Sequence, residues 1–275
     1  MASGAKTANA PGKLARLRCQ PRPLRFLASR LLWHTGLCSF LTIRCDSYRL
    51  RFYPTAYSAT LWLNPGERLC DETVLRSLLR EGDSVIDVGA NIGTLTLAAS
   101  KIVGASGTVY SIEGHPRTHN YLVGNLRFNK ASNVKAFNVA CGRETGTVRL
   151  SNKVSDDQNA VSAEGVSVPV CKLDDLMINT DTQEIALLKI DVEGYEKFVL
   201  EGSLRLLSRV KFIYFESYEQ HFAAFGYELC DIIDVLEQFR FEIYRLNGNK
   251  VSRDYRSVVC ENLLASRSRP PKIEI

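Results

Sequence analysis

Nine residues constrain this 275-residue chain more than any others: Val85-Ile86-Asp87-Val88-Gly89-Ala90-Asn91-Ile92-Gly93. A short β-branched run entering two closely spaced glycines reads as a buried strand that turns sharply into a helix. Glycine at 89 and 93 lets the backbone approach a bound molecule without a Cβ in the way, and the first turn of the next helix directs N–H groups at it. The following strand, Thr108 to Ile112, delivers an acid, Glu113, to the same edge.

Strands and helices then alternate: strand 84–88, helix 92–101, strand 108–112, helix 116–128, strand 134–139, strand 185–190, helix 195–207, strand 210–215 and helix 227–238. This order predicts an α/β fold with a doubly wound, mostly parallel sheet. Phe241–Leu246 and Val258–Leu264 predict an antiparallel closing hairpin. Gly146–Leu150 and Gly165–Val170 predict a hairpin insertion, whose Ser155–Asn159 stretch reads as a surface loop rather than a lid. Ahead of the sheet, Tyr48–Tyr53 and Ala59–Leu63 read as a small β element, and Asp71 as the cap of a helix through Arg80. The expected units are a basic leader at 1–45, an N-terminal cap at 46–83, a ligand-binding domain at 84–265 and a loose tail at 266–275.

What the turn lacks narrows its ligand. The pattern G-x-G-x-x-G needs glycine where this chain has Asn91 and Thr94, which disfavours a dinucleotide. No Gly-Lys-Ser/Thr follows Gly93, and Asp87 would repel a phosphate. A positively charged nucleoside suits the acids better. S-adenosylmethionine carries an ammonium, a sulfonium and a ribose, groups that the turn residues Asp87, Gly89, Asn91 and Gly93 and the ribose-gripping acid Glu113 would match.

A second signature repeats the logic. Leu188-Lys-Ile-Asp-Val-Glu-Gly-Tyr-Glu196, followed by Val199-Leu200-Glu201-Gly202, ends another apolar run in carboxylates. Together with residues 87–93 and Phe212-Ile-Tyr-Phe-Glu216, it resembles the FkbM-like family of S-adenosylmethionine-dependent methyltransferases, over residues 68 to 264. The resemblance implies a class I methyltransferase fold and methyl transfer, usually to a hydroxyl oxygen of a sugar, glycolipid or polyketide. Where the family commonly has Glu-Pro after the second strand, this chain has Glu113-Gly114-His115-Pro116.

Methyl transfer is an in-line displacement, so the protein must hold an acceptor lone pair roughly 3 Å from the methyl carbon. A hydroxyl acceptor also gains from a group that takes its proton. The candidates are Asp191 or Glu216, whose mutual repulsion in one cleft would raise one of them toward neutrality, with His221 in reserve. Glu193 reads as an acid at a helix N-terminus, and Lys189 either pairs with an acid or runs its stem along the sheet. Asp191, Glu193 and Glu216 could share a divalent cation, but no tight spacing requires one and the expected site is metal-free.

The net charge of +5 is concentrated at one end. The first 45 residues hold Lys6, Lys13, Arg16, Arg18, Arg22, Arg25, Arg30 and Arg44 and no acid, leaving 27 basic against 30 acidic residues elsewhere. Such a body has no general footprint for nucleic acid, so a small-molecule, glycan or lipid hydroxyl is the expected acceptor. The alternatives are an RNA tethered by the leader and a non-catalytic cofactor-binding module. Phe26–Ile43, interrupted by Arg30 and His34, is short for a bilayer that needs about 20 apolar residues. It reads as a docking helix after a disordered start, with peripheral membrane contact through residues 13–43 and organellar targeting as competing readings. Eight scattered cysteines without a C-x-x-C pair read as reduced thiols in a cytoplasmic protein, none of them at the site. Nothing in the pattern specifies an oligomeric state.

Overall fold

A computed structural model describes residues 22–35, 37–152, 159–177 and 184–273. The chain enters through α1 (Pro23–Thr35), a 3₁₀ turn at Leu37–Phe40 and an antiparallel hairpin, β1 (Thr42–Arg44) and β2 (Arg49–Arg51). Two helices follow, α2 (Ala56–Leu63) and α3 (Leu69–Leu78). The core then alternates β3 (Ser84–Val88), α4 (Thr94–Val103), β4 (Thr108–Ile112), α5 (Pro116–Phe128) and β5 (Val134–Phe137). An insertion of β6 (Ala140–Cys141), β7 (Gly146–Leu150) and β8 (Val166–Cys171) forms its own small sheet and leads into α6 (Leu173–Leu176). The chain closes with β9 (Ile185–Ile190), α7 (Glu196–Glu201), α8 (Leu204–Leu207), β10 (Val210–Ser217), α9 (Glu219–Ala224), α10 (Leu229–Glu237), β11 (Glu242–Arg245) and β12 (Glu261–Ser266).

The seven-stranded sheet runs β11-β12-β10-β9-β3-β4-β5. β5, β4, β3, β9 and β10 are parallel neighbours, while β12 pairs antiparallel with both β10 and β11. This is the doubly wound sheet with an antiparallel closing pair that the alternation predicts. Strand residues alternate between two apolar layers: Leu187, Phe212 and Tyr214 face one, and Leu188, Ile213 and Phe215 the other. β9 is buried along its whole length, as a central parallel strand must be.

Several expectations need correction. Ala59–Leu63 is helical, because Thr55 caps α2 by accepting from the Ser58 N–H at 3.0 Å and a short apolar run does not itself distinguish strand from helix. Asp71 is no cap; it lies inside the first turn of α3, buried against the Tyr214 hydroxyl at 2.5 Å. The helix expected over 195–207 breaks at Gly202, where a Cβ would come within 2.0 Å of the Gly142 carbonyl oxygen. The last strand begins at Glu261 rather than Val258, leaving Val258 and Val259 exposed. The tail is docked through the described residues: Arg267 donates to the carbonyls of Leu207 and Val210, and Ile273 joins the core. The leader's last residues, 42–44, are a strand of the β1–β2 hairpin.

Candidate active site

Chain order reverses between β3 and β9, which places a crevice at their carboxyl ends. A cavity of about 670 Å³ opens there, lined by the turn after β3, by Glu113 after β4, and by Asp191, Glu193, Glu216 and His221. The two glycines of the turn serve the protein before any ligand. Gly89 has φ +77°, and a Cβ on it would lie 1.8 Å from the Asp191 carbonyl oxygen. Gly93 has φ +93°, and its Cβ would meet Leu122 Cδ1 at 2.6 Å. The expected clearance for a bound molecule is therefore, at these two positions, clearance for the neighbouring backbone and the α5 side chain. Asn91 sits between them at φ 50°, a left-handed conformation that asparagine tolerates, with its Oδ1 accepting the Ile92 N–H at 2.7 Å.

Lys189 ties the two strand ends together. Its Nζ lies 3.0 Å from Asp87 Oδ1, 3.7 Å from Asp191 Oδ2 and 2.7 Å from the Gly89 carbonyl. Burial by itself would lower the lysine's pKa, but the two carboxylates outweigh it and hold the ammonium above its ordinary value. Of the two roles weighed for Lys189, pairing with acids is the one observed. Asp87 also accepts the Thr96 hydroxyl at 2.5 Å, is 2 % exposed and does not line the cavity. It was expected to face a ligand's cation; instead it fixes Lys189 and the turn from behind.

Glu113 does line the cavity. Its two oxygens accept the N–H groups of Asn91 at 2.9 Å and His115 at 2.8 Å, yet burial pushes its pKa up to about 7. Each oxygen keeps a second lone pair, so the carboxylate can still accept from a diol.

The β9–β10 register pairs Lys189 with Tyr214 and Ile190 with Phe215, which brings Asp191 and Glu216 out side by side. Both reach the one cleft, as expected, but the repulsion anticipated between them is answered by separate partners. Asp191 has Lys189. Glu216 Oε2 lies 3.3 Å from His221 Nδ1, and its Oε1 accepts from the Cys260 thiol at 3.1 Å. Glu193 Oε2 is 3.5 Å from the same His221 nitrogen. Ligand atoms of Glu193, Glu216 and His221 all lie within 4.8 Å of one another, a donor set able to hold a divalent ion in which His221 stands where Asp191 was expected.

Glu193 is not the acid of a helix start, because α7 begins at Glu196. Glu196 is fully buried and accepts the N–H groups of Val192 at 3.0 Å and Gly194 at 3.3 Å, while Tyr227 donates to the Gly194 carbonyl at 2.8 Å. These bonds hold the loop that presents Asp191 and Glu193. Burial pushes the Glu196 carboxyl up to about 8.

Three contributors were not singled out from sequence. Arg68 reaches the cavity from the start of α3, its Nε on the Tyr57 hydroxyl at 2.6 Å and its Nη1 on Asp71 at 3.0 Å. A lone arginine at a helix start carries no sequence signal. Cys260 lies in the cavity although it is remote from every motif. Leu150, Asn159, Ala160 and Val161 make the insertion one wall of the cavity; Ser155 to Gln158, expected as a surface loop, lie outside the described residues.

Residues 87–243, more than half of the chain, match the family described as Methyltransferase FkbM domain. The chain is 26 % identical over 188 residues to the hexuronic acid methyltransferase AglP of Haloferax volcanii, covering 66 % of this chain and 74 % of that protein. It is 29 % identical over 143 residues to Methyltransferase 1 of Beauveria bassiana, covering 43 % and 57 % respectively. Among solved structures, a SAM dependent methyltransferase from Aquifex aeolicus aligns with a TM-score of 0.43 at 17 % identity, over 74 % of this chain and 94 % of that one.

Proposed function

Because this chain belongs to the FkbM family of methyltransferases, we propose that it moves a methyl group from S-adenosylmethionine to a hydroxyl oxygen of a carbohydrate, glycolipid or secondary metabolite. One observation carries the reading: Glu113 after β4, Glu193 after β9, Glu216 at the end of β10 and His221 in α9 line the same cavity at the carboxyl edge of the sheet. The cavity's donor set fits that cofactor. Glu113 keeps lone pairs for a ribose diol, Arg68 offers a cation to a carboxylate, and Asp191 offers an anion to an ammonium. When bound, S-adenosylmethionine supplies an electrophilic methyl carbon.

The proton is the chain's own task. Glu193 and Glu216 flank His221 Nδ1, which favours the tautomer protonated there and orients the ring. The Glu216–His221 pair then accepts the hydroxyl proton as the acceptor oxygen attacks. A carbohydrate acceptor is supported by the Haloferax relative, a hexuronic acid methyltransferase by name.

The test uses cofactor labelled in its methyl group, incubated with the protein and with carbohydrate and lipid extracts. A hydroxyl acceptor yields label that survives mild alkali, as a methyl ether does; label released as methanol marks a carboxylate acceptor and overturns the hydroxyl reading. Glu216→Gln and His221→Asn are each expected to slow turnover about 100-fold or more while leaving cofactor affinity unchanged.

A further inference from the structure

Outside the cavity, the most distinctive surface belongs to α1 and the 3₁₀ turn after it. α1 carries apolar side chains on two faces. Leu32 and Trp33 pack against the core beside α2. On the other face Leu24, Leu27 and Leu31, spaced i, i+3 and i+7, are 81 %, 50 % and 66 % exposed, and Leu37 and Phe40 follow at 53 % and 83 %. Five of the ten exposed large apolar side chains among the described residues thus lie between 24 and 40. Scattered single leucines are ordinary, but a run of this kind marks a contact surface.

Arginines flank it. Arg22 donates to the Leu63 carbonyl at 2.8 Å, Arg25 sits 4.8 Å over the Trp62 ring, and Arg30 lies 5.2 Å from Phe26 and 5.4 Å from Trp33. All three side chains are exposed, their head groups resting on a backbone carbonyl or an aromatic ring. No acid occurs among the first 45 residues.

This pairing of bare leucines with arginines that make no ion pair among the described residues selects the partner. A second copy of the chain would bring the same cations against themselves across a two-fold axis, which is repulsive. A nucleic acid would take up the arginines but has no use for exposed leucines and a phenylalanine. An anionic bilayer takes both, since apolar side chains enter the acyl boundary and each basic residue gains from the negative surface. No helix among the described residues is long and apolar enough to cross a membrane, so contact is in the plane of the surface. We infer that α1 and the 3₁₀ turn Leu37–Phe40 form an interfacial anchor for an anionic lipid surface, with Leu24, Leu27, Leu31, Leu37 and Phe40 inserted and Arg22, Arg25 and Arg30 at the headgroups. This holds whatever the methyl acceptor.

Flotation of the full chain with vesicles tests it. Binding is expected to equimolar phosphatidylcholine and phosphatidylglycerol, to weaken on pure phosphatidylcholine, and to fall with added salt. The triple variant Leu24→Ser, Leu27→Ser, Leu31→Ser should keep its circular dichroism spectrum, because these side chains are exposed, and partition about tenfold more weakly per leucine removed. Absence of flotation, equal binding by the triple variant, or a dimer seen by light scattering that the triple variant abolishes would each overturn the inference.

Discussion

Gly89→Ala tests whether the turn after β3 is built against β9 or merely left open for a ligand. Two terms act on the variant. The backbone at φ +77° is left-handed, which strains an L-residue by about 1–2 kcal/mol. The new methyl would also lie 1.8 Å from the Asp191 carbonyl oxygen, and relieving such an overlap by backbone movement costs about 1–3 kcal/mol more. Gly226 supplies the control: its φ of +74° is nearly the same, and nothing lies within 4 Å of its Cβ position. Gly226→Ala should therefore lose only the strain, about 1–2 kcal/mol, and Gly89→Ala about 2–5 kcal/mol, with the reduced freedom of the unfolded chain cancelling between them. Urea denaturation measures both. Because the clash falls on Asp191 beside Lys189, Gly89→Ala should also bind S-adenosylmethionine at least tenfold more weakly by calorimetry, while Gly226→Ala binds normally. Equal denaturation midpoints for the two variants would refute the close approach and, with it, the account of how the turn is held.

Two further outcomes follow from the buried acids. Glu113 has been pushed up to about 7, and a protonated carboxyl is the poorer acceptor for ribose hydroxyls, so cofactor affinity should fall as pH drops through about 7; in Glu113→Gln the affinity should be lower and this pH dependence gone, both read by calorimetry. Glu113 and Glu196 both lie above their ordinary 4.5, so between that value and about 8 the folded chain binds protons that the unfolded chain has released, and stability falls as pH rises through this window. Thermal melts across the window should show the decline, flattened in Glu196→Gln; a midpoint that rises with pH there would contradict the burial of these groups.

The legible parts of the fold share a cause. β3, β4, α5 and β9 fall on or within a residue or two of their expected bounds because each is a strong local pattern bounded by glycine, proline or charge. The misread parts depend on distant partners. α2 takes its form from a cap and from packing, α7 and α8 are separated by the approach of Gly142 to Gly202, and Ile273 is held by a core the tail cannot encode locally. The site divides in the same way. Glu113, Asp191 and Glu216 were readable because parallel strands deliver their carboxyl ends to one edge. That Asp87 is the acid Lys189 pairs with was not readable, because the two lie about a hundred residues apart along the chain.

The sequence by itself determined the order of strands, the edge at which the acids emerge and the concentration of cations before residue 45. Periodicity, glycine spacing and composition are local properties, and those suffice for them. Only the tertiary structure decided which acids face the cavity, that Arg68 and Cys260 join them, that the insertion forms a wall, and that Leu24, Leu27 and Leu31 stay bare. These are questions of who touches whom across a hundred residues or more, and they are settled by strand register and close packing rather than by neighbours in the chain.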